Sequence, residues 1–449
     1  MEKRRKVSVA VTALALLALS SVVASAASAA KAPPTVIKVL TIGYPNNTTT
    51  DPATGLTEPG IQTLQSEFNK ANPSISLQII NIPWGTGSTS YSLKTDAMIK
   101  TNAACIYEMP NALTYGRDGD LVNLNTLIAK DPHFKNVWGS ALKYNESWGP
   151  KNPHSLFYLP DNTGIRVINW DAKLFKDYKV PPLSTHPTLA EIARDAAKMT
   201  GKDPVTGQQT YGYWYQGEYA VWQFMAIGDA MGAKWGRVNS NGTLKINWNT
   251  PKYLKALDYF VKLSKYAPKG ALASDTMPNG FMTNQNVVAI IPEGEQDYII
   301  PPLTANPSLG NRFRTSYNLK GPNGHGGLNA VSPMSIASSC PDKQAAWTAL
   351  KWLAGSKQAE KFYFDSDGRL PAITNDKSLL PTLSKVKDIG AILGQVQQAD
   401  APYPWASDTP RFALQTALQG ALAGTLTPKQ ALQQAQKKTV QWLHQQKPS

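Results

Sequence analysis

Strands alternating with helices, twice over, predict an α/β protein made of two doubly wound units. Three observations carry that expectation. The chain is 449 residues long, which is more than one domain by size. Apolar residues make up 42% and charged residues 17%, enough for real cores and too apolar for disorder. Two stretches, one opening near Val36 and the other near Phe157, each read as strand, helix, strand.

Ahead of that pattern lies a segment of different character. Lys3, Arg4, Arg5 and Lys6 form a positive start. Val7 to Val23 is apolar, softened by Ser8, Thr12, Ser20 and Ser21, and Ala24-Ser25-Ala26 and Ala27-Ser28-Ala29 both fit a small-residue cleavage site. The run is short for a bilayer span of ~20 apolar residues, so residues 1–30 are expected to be a secretory signal peptide rather than an anchor. No Cys lies near it, so a lipid-anchored maturation route is not expected.

The first unit begins at Val36–Ile42, a nearly continuous β-branched run typical of a strand covered on both faces. A turn-rich loop from Gly43 to Gly55 follows. Thr57 is a candidate cap for a helix with the apolar stripe Ile61, Leu64 and Phe68. Ser76–Ile82 reads as a strand ended by Pro83, Leu93–Lys100 as a helix and Ala104–Met109 as a third strand. This β-α-β-α-β order predicts a parallel sheet with right-handed crossovers.

In the second unit Arg166–Trp170 reads as a strand. Thr188 and Glu191 form a capping box before Leu189, Ile192, Ala193 and Ala196. Thr250 and Pro251 open a helix with Leu254, Leu257 and Val261 on one face. Val287–Ile291 is a short apolar strand. Gly321–Gly327 is glycine-rich and leads into strand-like Leu328–Ala337 and a helix over Lys343–Leu353. Two helices close the chain, Arg411–Leu422 and Pro428–Leu443, the last capped by Thr427 and Gln430.

The net charge is +14. The bases are dispersed, with no run of five in the mature chain, and the acids are scarce. That pattern suits an anionic envelope or acidic surroundings better than nucleic acid. His133, His154, His186, His325 and His444 are scattered, and no Cys/His spacing fits zinc, so no metal or cofactor is expected. "GPNGHGGLN" lacks the Lys-Ser/Thr ending of a phosphate-binding loop. No G-x-S-x-G elbow or H-E-x-x-H helix is present, and no motif marks a glycosidase carboxylate pair. The sequence therefore does not read as an enzyme.

Several segments, in order, resemble extracellular solute-binding protein family 1, the maltose-binding-protein-like receptors of ABC importers. They are "FNKANPSISLQI", "LFYLPDNTGIRVINWDAKLFKDYKV", "PPLSTHPTLAEIARDAAKMT", "FMTNQNVVAIIPEG", "GGLNAVSPMSIASSCPDKQAAWTALKWLAGSKQAEKFYFDSDGRLPA" and "TPKQALQQAQKKTVQWL". Two departures are "TNAACIYEMP" before the third strand and Trp170 at a common Tyr-Asn position. The resemblance implies the periplasmic-binding-protein type II fold: two α/β lobes joined by a multi-crossing hinge, with a ligand cleft between them. The expected lobes are residues 31–157 plus 326–372 and residues 158–325 plus 373–449. In such folds the strand after the glycine-rich crossing returns antiparallel beside the third strand. That would bring Cys105 next to Cys340, so a disulfide between them is expected.

Ligands of open α/β sheets sit outside the carboxyl ends of the strands. The candidate ligand residues are therefore Tyr44, Asn46, Asn47, Trp84, Glu108, Asn111, Asp161, Asn162, Tyr219, Trp222, Glu295, Gln296, Tyr298, Tyr403, Trp405 and Asp408. Trp84, Tyr219 and Trp405 are the strongest, whereas Trp347 and Trp352 read as packing residues. Aromatic faces with amides and carboxylates suit a sugar. The expectation is an exported receptor, periplasmic or at the cell surface, monomeric and peripheral to the membrane. It would pass a sugar or short oligosaccharide to the transmembrane subunits of an ABC importer. Alternatives are a polyol, a glycerol phosphate or another small solute, then an envelope polymer or a glycosidase substrate. Arg117 and Arg411 are the only arginines expected near the cleft, which argues against a phosphate.

Overall fold

The computed structural model describes residues 33–52, 55–85, 91–138, 155–239, 243–270, 277–373, 378–400, 403–406 and 408–445; the expected signal peptide lies outside them. The strands of the two main sheets are, in chain order, β1 (Thr35–Ile42), β2 (Ile75–Ile82), β3 (Ile106–Glu108), β4 (Leu159–Thr163), β5 (Arg166–Asp171), β6 (Gly201–Lys202), β7 (Gln209–Tyr213), β8 (Val288–Glu295), β9 (Phe313–Ser316), β10 (Ser332–Ile336) and β11 (Leu370–Pro371). The first sheet has the order β11-β4-β10-β3-β1-β2 and the second β9-β5-β8-β7-β6.

β1 runs parallel to β2 from Thr35↔Ile75 to Ile42↔Ile82, and parallel to β3 on its other side. This is the doubly wound unit expected from the β-α-β-α-β pattern. Only the second half of β1 is covered on both faces. Val36 and Lys38 face solvent, while Val39 to Ile42 are all buried. The helix Ile61–Ala71 buries Ile61, Leu64 and Phe68 as its stripe predicts. Its N-cap is Gly60 rather than Thr57, because Thr57 pairs with Thr50 in a two-residue strand.

β10 returns antiparallel beside β3, and β4 and β11 extend that edge, also antiparallel. The second sheet departs further from a parallel reading. β5 is antiparallel to both β8 and β9, and only β7 and β8 run parallel. The capping boxes are realised: Thr188 with Glu191, and Thr427 with Gln430, each bond the other's backbone. Thr250 caps the helix Pro251–Lys262.

Cys105 and Cys340 are joined, Cα to Cα 4.8 Å, across 235 residues of chain. Ala337 donates its amide to Cys105 at 2.9 Å, which pins the end of β10 against the start of β3. The first sheet carries apolar packing on both faces, one including Phe68, Trp347 and Leu350 and the other Leu40, Tyr107 and Phe157. The second sheet packs around Trp248, Tyr253, Phe224 and Phe260.

Among the described residues the chain passes between the two lobes three times, twice from strand to strand. The first falls at Gly164–Ile165, not between Phe157 and Tyr158, because β4 belongs to the first sheet. The second, Gly326 to Val331, lies against it. Ala330 donates to the Gly164 carbonyl at 2.8 Å, and a Cβ on Gly164 would meet the Ala330 oxygen at 2.3 Å. The third follows β11 and leads to the helix Ile389–Gln398, which packs on β5 and β9. The loop after that helix returns to the second crossing, where the Asn329 amide donates to the Asp400 carbonyl and the Asp400 amide to that of Gly327.

Candidate functional site

Between the two sheets, above the crossings, lies a cavity of ≈ 160 Å³. That is roughly ten times the ~10–15 Å³ a single water needs, and so has room for a small solute. Its lining comes from three places. The first lobe gives Tyr91, Met109, Pro110, Asn111, Ala112 and Tyr158. The second gives Arg166, Tyr219, Trp222, Tyr403, Pro404, Ala406 and Arg411. Leu328 to Val331 and Pro333, at the second crossing, form the floor.

Local geometry explains how these residues arrive. β3 ends at Glu108, and Met109 adopts a left-handed conformation, φ 52°. That abrupt turn brings Pro110 and Asn111 to the cavity. Asn111 also caps the helix Ala112–Asp118, accepting from the Thr114 amide. Tyr219 closes a short 3₁₀ turn, and Trp222 lies in the first turn of the helix Ala220–Ala230 that follows it. Trp222 stacks on Tyr403 at 5.9 Å and 24°, and Tyr403 on Trp405 at 4.9 Å and 10°. The result is a layered aromatic wall.

The sequence candidates divide into three groups. Asn111, Tyr219, Trp222 and Tyr403 line the cavity. Asp408, the N-cap of the helix Thr409–Leu422, makes no side-chain cap bond; its carboxylate instead accepts from the Asn111 amide of the other lobe. Burial pushes Asp408 up to about 6, and the bond from Asn111 partly opposes this.

A second group is buried beneath the lobe junction. Glu108 accepts from the Ile42 amide at 2.9 Å and from the Tyr44 hydroxyl at 3.2 Å. Burial raises Glu108 to about 7 despite the nearby Arg369. Asp161 is raised well above its ordinary value, first by burial and then by the charge of Glu108. Asn162 donates to Asp161 and accepts from Ser332, which Arg369 also reaches at 2.9 Å. Gln296 staples the first crossing, accepting from Ile165 and donating to Thr163. Glu295, partly exposed, pairs with the buried Arg166. These polar groups hold the hinge rather than line the cavity.

The third group does not reach it. Trp405 is fully buried, edge-on against Trp248 at 5.0 Å, and its wall neighbours cover it. Trp84 is half-buried against Gly43, Tyr91 and Arg369. Asn46 and Asn47 are exposed, with Asn46 accepting from Asn81 at 3.0 Å. Tyr298 is an exposed surface residue.

The expectation that Arg117 and Arg411 are the only arginines near the cleft is corrected. Arg117 pairs with Asp118 outside the cavity, while Arg166 and Arg411 both line it. Their guanidinium carbons lie 5.7 and 5.3 Å from the centre of the Tyr219 ring. Arg166 was legible only as the first residue of a strand. An arginine in an otherwise buried strand was the available signal, as was Asn329 directly after the glycine-rich run. Among the described residues, no group of three or more His, Cys, Asp or Glu is placed to hold a metal, and no helix is long and apolar enough to cross a membrane.

Solved structures of similar shape include several solute-binding proteins of ABC transporters. An ABC substrate-binding protein from Listeria monocytogenes in complex with cycloalternan has a TM-score of 0.71 at 18% identity, over 92% of this chain and 99% of that one. An ABC transporter solute-binding protein from Agrobacterium radiobacter in complex with ribitol gives 0.65 at 20%, over 91% and 99%. One from Thermotoga lettingae bound to α-D-tagatose gives 0.65 at 20%, over 91% and 100%. These likenesses establish the two-lobed fold. A search of curated proteins gave no significant match. The sequence profile of the bacterial extracellular solute-binding proteins matches residues 48–360, and the chain belongs to that family of exported receptors, which bind small solutes rather than transform them.

Proposed function

We propose that the chain captures a sugar or a sugar-like polyol in the cavity between its lobes and presents it to the transmembrane subunits of an ABC importer. The aromatic wall carries this reading. Tyr219, Trp222 and Tyr403 offer flat apolar faces for C–H groups, and Asn111 and Asn329 stand in the same lining to bond hydroxyls. The relatives crystallised with cycloalternan, ribitol and tagatose support the same class of ligand. The lobes, divided at the three crossings, close on the ligand, and the Asn111–Asp408 hydrogen bond joins them across the cleft. The protein acts as a monomer at the outer face of the membrane.

The test is a melting-temperature screen of the mature protein against mono-, di- and oligosaccharides and polyols. A ligand at a hundred times its Kd adds about 2.7 kcal/mol of stability, a shift of several degrees. Small-angle scattering then reads closure on binding. If no saccharide or polyol moves the transition, the assignment is wrong.

A further inference from the structure

Arg411 stands apart from the other buried charges. It is 6% exposed and lines the cavity. Every other buried arginine beside the cleft has an acid: Arg166 has Glu295, and Arg369 has Asp367. No carboxylate among the described residues pairs with Arg411, and its Nε has no hydrogen-bond partner. What holds it is aromatic, with Tyr219 at 5.3 Å, Trp222 at 5.4 Å and Phe412 at 5.3 Å from the guanidinium carbon. Ring faces stabilise a cation without neutralising it.

Its position in the helix adds to the imbalance. Arg411 lies in the first turn of Thr409–Leu422, where the helix end is itself positive. A cation there is the unfavourable choice for the helix alone. No Asp or Glu among the described residues lines the cavity, so nothing in the lining offsets this charge. A buried charge without a counter-ion is costly unless something supplies one.

We infer that the ligand supplies it: the sugar carries an anionic substituent, a carboxylate or a phosphate ester, that pairs with the Arg411 guanidinium while the aromatic wall takes the ring. This rests on the carbohydrate reading above and narrows it. Guanidinium presents paired N–H donors that match either group in a fork. Neutral hydroxyls could accept from Arg411, yet they would leave its charge uncompensated. Arg166, already matched by Glu295, contributes shape and hydrogen bonding more than net charge.

The experiment is titration calorimetry of the mature protein with matched pairs at pH 7: D-glucose against D-glucuronate and D-glucose 6-phosphate, D-galactose against D-galacturonate, and the corresponding neutral and acidic disaccharides. The inference expects the acidic member of at least one pair to bind at least tenfold more tightly. The glucuronate, galacturonate and phosphate arms identify the anion. Arg411→Gln should abolish the preference and Arg411→Lys retain part of it, with unchanged melting temperature of the free variants showing that both fold. Neutral sugars binding as tightly as acidic ones, or a preference that survives Arg411→Gln, overturns the charge pairing and leaves the carbohydrate receptor standing. Binding of neither class overturns both.

Discussion

Replacing Cys105 and Cys340 together by alanine removes the one covalent link between β3 and the end of β10. The bond spans 235 residues, and the loop-entropy relation for that length gives roughly 5.5 kcal/mol. The effective loop is shorter, because the second lobe hangs inside it as a folded body whose entry and exit strands already touch at Gly164 and Ala330. Counting only first-lobe residues leaves about 70 and lowers the figure to about 4.4 kcal/mol. Urea unfolding with a slope near 2 kcal/mol per molar should therefore show the first lobe's midpoint falling by about 2 M. The second lobe, which contains neither cysteine, should keep its midpoint, so a single transition should divide into two. Tryptophan fluorescence with and without reductant reads both. Coincident curves for native and double-alanine proteins would refute the reasoning, as would an equal shift of both lobes.

Four further outcomes follow from the described geometry. Tyr219→Ala should weaken ligand binding about tenfold, from the loss of a stacked face worth roughly 1.4 kcal/mol. Its melting temperature should barely change because the ring is only half-buried; undiminished affinity by calorimetry would place the ligand elsewhere. Asn111→Ala removes the donor to the Asp408 carboxylate across the cleft. A hydrogen bond to a charged group is worth about 1.5–3 kcal/mol, so the closed form should be depopulated roughly tenfold or more, read by scattering of the ligand-saturated protein. The pH dependence has a definite sign. Glu108 and Glu293 are each raised to about 7 by burial, so between about 4.5 and 7 the folded state holds more protons than the unfolded one. Stability should fall as pH rises through that window and level off above it, each group contributing at most about 1.4 kcal/mol per pH unit. Glu108→Gln should flatten the curve, and an unaltered slope in that variant would discount Glu108. Gly164→Ala forces a Cβ to 2.3 Å from the Ala330 carbonyl oxygen. It should separate the crossing strands and change the open-to-closed ratio although Gly164 itself does not line the cavity; identical scattering profiles for the two proteins would count against a hinge at that point.

The contrast between what was readable in the chain and what was not is physical. β1, β2 and the capping boxes were legible because neighbours close in sequence decide them. Thr188 bonds Glu191, and β-branched residues fill a covered strand. The identity of the cavity aromatics was less accessible. Tyr403 and Trp405 stand two apart in one loop, and both sit at a sensible place for a ligand. Trp248, far away in the chain, covers Trp405 and leaves Tyr403 at the surface of the wall. Glu108 and Asp161 likewise follow the rule for strand ends. Arg369, brought over by a later strand and helix, makes them part of a buried ionic cluster instead of a ligand-facing pair. Position along a strand predicts where a side chain begins; what closes over it depends on partners hundreds of residues distant.

The crossings at Gly164 and Ala330 and the loop at Asp400 lie side by side and bond one another through main-chain amides. Adjoining tapes of peptide, one pair antiparallel and the other parallel, bend together more readily than they shear. If the lobes close as proposed, such a hinge would favour a single opening angle, and that angle would measure the bulk held between the jaws. A docking membrane complex would then need no contact with the cargo, since the spacing of the two outer faces would report whether the cradle is full or empty.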